Sequence, residues 1–408
     1  MKAKKMRRDD WKKWMVLLMV CVGLYFIPAS PEAKEILIGI NTDVTGVMAP
    51  VGRTESDCAL WAIEEWNAKG GIKGQKIQSV FMNNGADPVR ATGNARALVD
   101  KGVCAVHGGT YSTAAIAEMK VLAPAKIPMM GNACATVLFQ EGVGPDGKNY
   151  FFTGYGADVH LVRGYLDIPA KAGYKKAAIL YLNVAWPKDL MAVAKELVQK
   201  EYGPKYGMSI VGTVEADIKA SDLSLQINQV KAMNPDIMIA IIYQPNAIAV
   251  TRALADARWN PPWVAGWGQA DDVYDKSSDK KLYYNLHGVS YYSGLRPDAV
   301  AKREAFIKKY GYVPTSHWAP AYDLTNVLLR AIDAVGPEPV AIRDWLATKS
   351  NGIPLLCGVE GMTCKIRDVE ETVIGKRGFY YSLFDGTDYA PVWVDKEGKL
   401  DWKKLVRK

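Results

Sequence analysis

The sequence predicts an α/β protein built on two mainly parallel sheets, each flanked by helices. Three observations carry that expectation. Short continuous apolar runs recur along the chain, amphipathic stretches of about 10 to 15 residues separate them, and the 408 residues exceed what one hydrophobic core supports. Strand followed by helix, again and again, is the pattern of parallel strands joined by crossovers and covered on both faces.

The first 33 residues stand apart from this pattern. Lys2, Lys4, Lys5, Arg7, Arg8, Lys12 and Lys13 precede an apolar run from Trp14 to Ile27, and small residues and prolines follow. That is the layout of a signal peptide, with Ala29 or Ala33 as the cleavage point; the run is shorter than the ~20 residues a membrane-crossing helix needs. Export to the periplasm or another extracytoplasmic space is therefore expected.

From Glu35 the alternation begins. Ile36 to Ile40 reads as a strand, and Ser56 to Lys69 as a helix with apolar residues at 59, 60, 63 and 66, stopped by Gly70-Gly71. Ile77 to Met82 is the second strand. Asp87 is placed to cap a helix with Pro88 in its first turn and Ala91, Ala95, Leu98 and Val99 on its inner face. Strands follow at Cys104 to His107 and Ile127 to Met130. Further on, strands at 177–182, 210–214, 237–243 and 263–265 alternate with helices at 190–202, 226–233 and 247–257. About ten strands exceed one compact sheet, so a change of lobe is expected near Gly154. The tail from Phe379 to Trp393, with Asp385-Gly386-Thr387 at its centre, reads as a hairpin-like pair.

Composition narrows the function classes. Hydrophobic residues make up 49% and charged residues 23%, the balance of a folded globular protein. Residues 1–33 carry seven basic and three acidic side chains, so half of the +8 net charge belongs to the leader. The remaining chain has no Lys/Arg block or aromatic-basic repeat, and no nucleic-acid partner is expected. Of the cysteines beyond the leader, Cys357 and Cys364 flank Gly358 and Gly361, which let the chain turn back into a disulfide, whereas Cys58, Cys104 and Cys134 sit in apolar contexts as buried thiols. Four scattered histidines at no ligand spacing argue against zinc.

Gly142, Gly144 and Gly147 satisfy G-x-G-x-x-G, yet no strand precedes and no helix follows, and Pro145 interrupts the loop. A surface turn is the better reading, and no cofactor is expected. There is no G-x-S-x-G elbow and no H-E-x-x-H pair, so the usual local signatures of an enzyme are missing. More informative are two turns rich in small and hydroxyl residues directly after strands: His107-Gly108-Gly109-Thr110-Tyr111-Ser112-Thr113-Ala114 and Gly131-Asn132-Ala133-Cys134-Ala135-Thr136. At the carboxyl edge of a parallel sheet, exposed amides and hydroxyls hold polar ligand groups.

The chain resembles the periplasmic solute-binding proteins of branched-chain amino-acid ABC transporters. The residues that carry the likeness are Ile36-Leu37-Ile38-Gly39 with Thr45-Gly46, Ala62-Ile63-Glu64-Glu65-Trp66-Asn67 with Gly70-Gly71-Ile72, Asp87-Pro88, Pro314-Thr315 and Ala321-Tyr322-Asp323. The resemblance implies the two-lobed type I periplasmic-binding-protein fold. The lobes would divide as 34–154 with 291–365, and 155–290 with 366–408. It implies that Ser112, Thr113, Ala135 and Thr136 hold the polar head of a ligand, in that family its carboxylate, with a one-residue ambiguity in the second pair. Trp186, where tyrosine is usual, and Tyr243 would cover the ligand from the other lobe.

Trp267 stands where amino-acid binders of this family place an acidic residue against the ligand's ammonium group. Without that carboxylate the ammonium would be buried unpaired, which is costly, so a simple branched-chain amino acid is not the expected ligand. Trp186, Tyr243 and Trp267 suit an aromatic or aliphatic acid or a small amide, and cation–π attraction would let them hold a quaternary ammonium. Asp271 or Asp272 would restore an amino-acid site after a local shift. The function implied is capture of a small solute by lobe closure for membrane permease subunits. The rival readings are a sensor of the amide-sensor type and, more remotely, an exported enzyme.

Overall fold

The computed structural model describes residues 35–153, 158–266, 286–290, 297–357, 380–384 and 389–392. Within them the strand and helix alternation folds into two sheets. The first has the order β2-β1-β3-β4-β5, made of β1 (Ile36–Thr42), β2 (Ile77–Asn83), β3 (Ala105–Gly108), β4 (Met129–Gly131) and β5 (Phe151–Thr153), all parallel. Ile36, Ile38 and Ile40 are fully buried, as expected for a strand covered on both faces.

Helices α1 (Ala49–Ala68), α2 (Pro88–Asp100), α3 (Ser112–Leu122) and α4 (Thr136–Glu141) connect these strands. The Asp87 carboxylate caps α2 by accepting from the Arg90 amide at 2.8 Å, as its position before Pro88 predicts. A side chain at Gly39 would stand 2.9 Å from Leu98, so α2 lies directly on β1. Helix α1 begins seven residues ahead of the expected Ser56. Pro50 occupies its first turn, where a missing amide costs nothing, and Gly52 lets the helix start against the Asp43 backbone, whose carbonyl would be 2.3 Å from any β-carbon there.

The second sheet has the order β12-β11-β10-β9-β8-β6-β7, formed by β6 (Lys176–Leu182), β7 (Ser209–Ala216), β8 (Ile237–Ile241), β9 (Trp263–Gly266), β10 (Leu286–Ser290), β11 (Tyr380–Phe384) and β12 (Tyr389–Val392). Its strands are parallel up to β10. The expected hairpin-like pair in the tail is β11 and β12, which run antiparallel and extend the sheet's edge.

Around the second sheet lie α5 (Asp158–Ala172), α6 (Ala185–Leu197), α7 (Ser224–Ala232) and α8 (Gln244–Asp256). Helix α6 starts five residues before the expected Leu190 and passes through a π-helical turn, Val198–Tyr202, into a last α-helical turn, Gly203–Tyr206, four residues beyond the expected end. The buried Tyr165 hydroxyl would stand 1.9 Å from a β-carbon at Gly266, which fixes how closely α5 lies on β9.

After β10 the chain returns to the first sheet with α9 (Pro297–Tyr310), α10 (Trp318–Val335) and α11 (Pro339–Lys349). Helix α10 packs along α1, where the Trp66 indole donates to Asn326 at 3.0 Å and Lys302 of α9 pairs with Glu65 at 2.6 Å. Lys148 pairs with Asp344 of α11 at 2.8 Å.

The glycine-rich stretch is a tight turn in which Val143 bridges Asn149 and Gly147 takes a positive φ. Cys58, Cys104, Cys134 and Cys357 are buried, while Cys364 and Trp267 lie outside the described residues.

Candidate functional site

The two turns singled out in the sequence lie side by side at the carboxyl edge of the first sheet. β3 ends at Gly108, the chain turns at Gly109 with φ +69°, and α3 begins at Ser112; β4 ends at Gly131 and α4 begins at Thr136. A β-carbon at Gly131 would sit 1.8 Å from the Gly108 carbonyl oxygen, so only glycine allows this approach of the strand ends. The Ala133 amide donates to the Gly109 carbonyl and ties one turn to the other. Ser112 and Ala135 are buried, Thr113 half-buried and Thr136 exposed.

From the second sheet, two aromatic residues meet these turns. Trp186, in the first turn of α6, stacks on Tyr243, which precedes α8, at 5.3 Å between ring centroids and 28° between planes. Tyr243 then meets Tyr111 of the first sheet edge-on, at 5.7 Å and 75°. One turn further along α6, the Asp189 carboxylate accepts from the Thr136 amide at 2.8 Å. Burial raises the Asp189 carboxyl above its ordinary range, and hydrogen bonds from Thr136 oppose the rise. The structure therefore brings Ser112, Thr113, Ala135, Thr136, Trp186 and Tyr243 to one junction between the sheets.

Beneath the first-sheet turns lies a group of fully buried carboxyls: Asp43 after β1, Glu55 on α1 and Glu118 on α3. Glu55 accepts from the Thr110 hydroxyl and from the Asn132 amide, the latter at 2.6 Å, while Asn84 donates to Glu118 at 3.0 Å. Burial pushes Glu55 up to about 7 against these two hydrogen bonds. It holds Asp43 and Glu118 well above the carboxylate range, and the neighbouring Glu55 charge adds to the rise at Asp43. Burial is also the main cause that raises the Tyr111 phenol, with the charges of Asp43 and Asp217 adding to it. His107, also buried, is pushed down to about 4 and stays neutral.

Sequence reasoning gave no role to Tyr111, Asp189 or the buried acids, although Glu55, Glu118 and Asp189 left signals. Glu55 shares a helical face with Cys58, Ala59 and Ala62, and Glu118 shares one with Ala114, Ala115 and Leu122, positions that a periodic reading assigns to the interior. Asp189 follows Trp186 by three residues and so shares its helix face.

Two α/β layers whose strand ends meet at an aromatic junction define the architecture of the bilobal binding proteins. The family model for periplasmic binding protein matches residues 35–370, and the chain belongs to that family. It is 24% identical over 382 residues to the Leu/Ile/Val-binding protein homolog 7 of Brucella abortus (strain 2308), covering 81% of this chain and 85% of that one.

Among solved structures, the isoleucine-bound branched-chain amino acid transporter substrate binding protein LivJ of Streptococcus pneumoniae superposes with a TM-score of 0.75 at 21% identity, over 88% of this chain and 99% of that one. A fatty acid ABC transporter substrate-binding protein from Thermomonospora curvata gives 0.76 at 17% identity, over 91% and 93%. At such identities these structures establish the fold, which is that of the type I periplasmic binding proteins.

Proposed function

We propose that this chain is the extracytoplasmic substrate-binding component of an ABC transporter and carries out no chemistry on its ligand. It captures a small organic solute between two lobes, 34–154 with 291–365 and 155–290 with 366–408, and presents the closed form to permease subunits. The observation that carries this reading is the junction itself, where Tyr111 from one sheet meets Tyr243 and Trp186 from the other. A ligand held by groups from both sides stabilises the closed arrangement over the open one, which is what couples binding to a conformational signal.

Membership of the periplasmic binding protein family supports the transport role and the extracytoplasmic location. The ligand we propose is an acid, an amide or another small solute rather than leucine, isoleucine or valine, because Ala265-Gly266-Trp267-Gly268 offers no carboxylate to an α-ammonium group. The similar structures include one bound to isoleucine and one named as a fatty acid binder, so this architecture serves ligands with and without that group.

A thermal-shift screen of the mature protein, followed by small-angle scattering with each hit, tests both parts. A ligand that binds only the folded state raises the melting temperature, and closure reduces the radius of gyration. Stabilisation without compaction would refute the lobe-closing mechanism. A strong shift with leucine or valine would refute the exclusion of branched-chain amino acids while leaving the binding role intact. Conversion of any bound compound to a product would show an enzyme instead.

A further inference from the structure

Thr136 belongs to the turn that the family resemblance assigns to a ligand's carboxylate, yet its amide already serves a carboxylate. Asp189 reaches it from α6, so an acidic group from the second sheet satisfies a donor on the first. Two further facts bear on the surroundings. An exposed acid, Asp217, acts on the Tyr111 phenol at the same junction. The lysine beside Asp189, Lys188, is directed to Glu215 at 3.7 Å. An ammonium that already has a carboxylate partner offers an incoming anion less attraction than a free one.

We infer that Asp189 is a specificity-determining residue of the closed cleft: its carboxylate occupies the Thr136 donor and turns away ligands that present an anion there, so the ligand's head is an uncharged amide or a cation. A carboxylate ligand would have to displace Asp189 from Thr136 and then lie beside a half-buried like charge, whereas an amide or ammonium group can donate to the free lone pairs of Asp189. The aromatic rings nearby favour the same classes, since the face of Trp or Tyr attracts cations and stacks on planar amides. This inference rests on the solute-binding reading and narrows it from acids and amides to amides and cations.

Matched triads provide the test: benzoate, benzamide and benzylamine, and isovalerate, isovaleramide and isopentylamine, titrated calorimetrically into the mature wild-type protein, Asp189→Asn and Asp189→Ala. Asparagine keeps an acceptor for the Thr136 amide and removes only the charge; alanine also frees the donor. Thermal melts of both variants establish that they fold.

The expected result is that the wild type binds an amide or amine at least about tenfold more tightly than the matched carboxylate. Carboxylate affinity then rises about tenfold in Asp189→Asn and further in Asp189→Ala, while amine affinity falls. A wild-type preference for carboxylates, or variants that leave the carboxylate-to-amide ratio unchanged, overturns the inference and leaves the solute-binding reading standing. A panel in which no compound binds any of the three proteins overturns both.

Discussion

The two sheets differ in the charge they bury, although helices around both carry exposed ion pairs. Under the turns of the first sheet, Asp43, Glu55 and Glu118 are removed from water, and the side chains that serve Glu55 and Glu118 are neutral: Thr110, Asn132 and Asn84. On the helices and edge strand of the second sheet the charges stay in solvent and pair there: Arg163 with Glu201 at 2.6 Å, Lys200 with Glu196 at 2.7 Å, and Lys188 with Glu215 of β7 at 3.7 Å. Burial makes a carboxyl bind its proton tightly, whereas water screens an exposed pair until it contributes little. Proton concentration should therefore act on the buried carboxyls of the first sheet, and salt only weakly, on the exposed pairs around both sheets.

The glycines sharpen the contrast most. Gly131 faces the Gly108 carbonyl, an immovable backbone atom, while Gly266 faces the hydroxyl end of the Tyr165 side chain. Gly131→Ala is expected to cost several kcal/mol, on the order of 3 to 5, and to dismantle the first-sheet turns. Gly266→Ala should cost less, because the far end of a side chain can swing away about χ1 where a strand end cannot. Chemical denaturation of both variants checks the order, and an equal cost would mean that Tyr165 is held as firmly as the backbone.

Next in size is the response to pH. Glu55 holds its proton with a folded value of about 7 against 4.5 ordinarily. A raised carboxyl favours the folded state in acid: its contribution is full below pH 4.5, is lost as the pH climbs towards 7, and stays lost above. For this group alone the loss is about 3 kcal/mol. Glu55→Gln should flatten that part of the pH profile and melt higher than the wild type at pH 8, with the Thr110 hydroxyl rotating to accept from the new amide. Melts at pH 5 and pH 8 decide it, and parallel profiles would remove Glu55 from the account.

Smaller still is the cap on α2. Asp87→Ala leaves the Arg90 amide without its acceptor and should cost about 1 kcal/mol in the same denaturation series. At the bottom of the scale, Glu201→Gln breaks the exposed pair with Arg163 and should leave the melting temperature unchanged within error at physiological salt. A clear loss there would contradict the contrast between buried and exposed charge.

Much of the fold could be read residue by residue, because strands buried on both faces declare themselves as continuous apolar runs; Ile36 to Ile40 and Ile237 to Ile242 are the plainest. The Asp87 cap was equally legible, since an acceptor before proline has one obvious use. The early start of α1 was not, because Pro50 and Gly52 look like loop residues until the Asp43 backbone is seen lying against them. For the site, the two turns announced themselves by composition, and Trp186 and Tyr243 came from the family likeness.

What local sequence determined, then, is the α/β alternation, the two candidate turns and the face of each helix that goes inward, all of which depend on residues within a few positions of one another. Tertiary structure alone decided which distant groups share a space: Glu55 with Asn132, 77 residues apart, Trp66 with Asn326, 260 apart, and Asp189 with Thr136, 53 apart. Burial and hydrogen bonding are properties of proximity in space, and only the packing of two sheets against their helices makes an ordinary aspartate the partner of a turn that was expected to await a ligand.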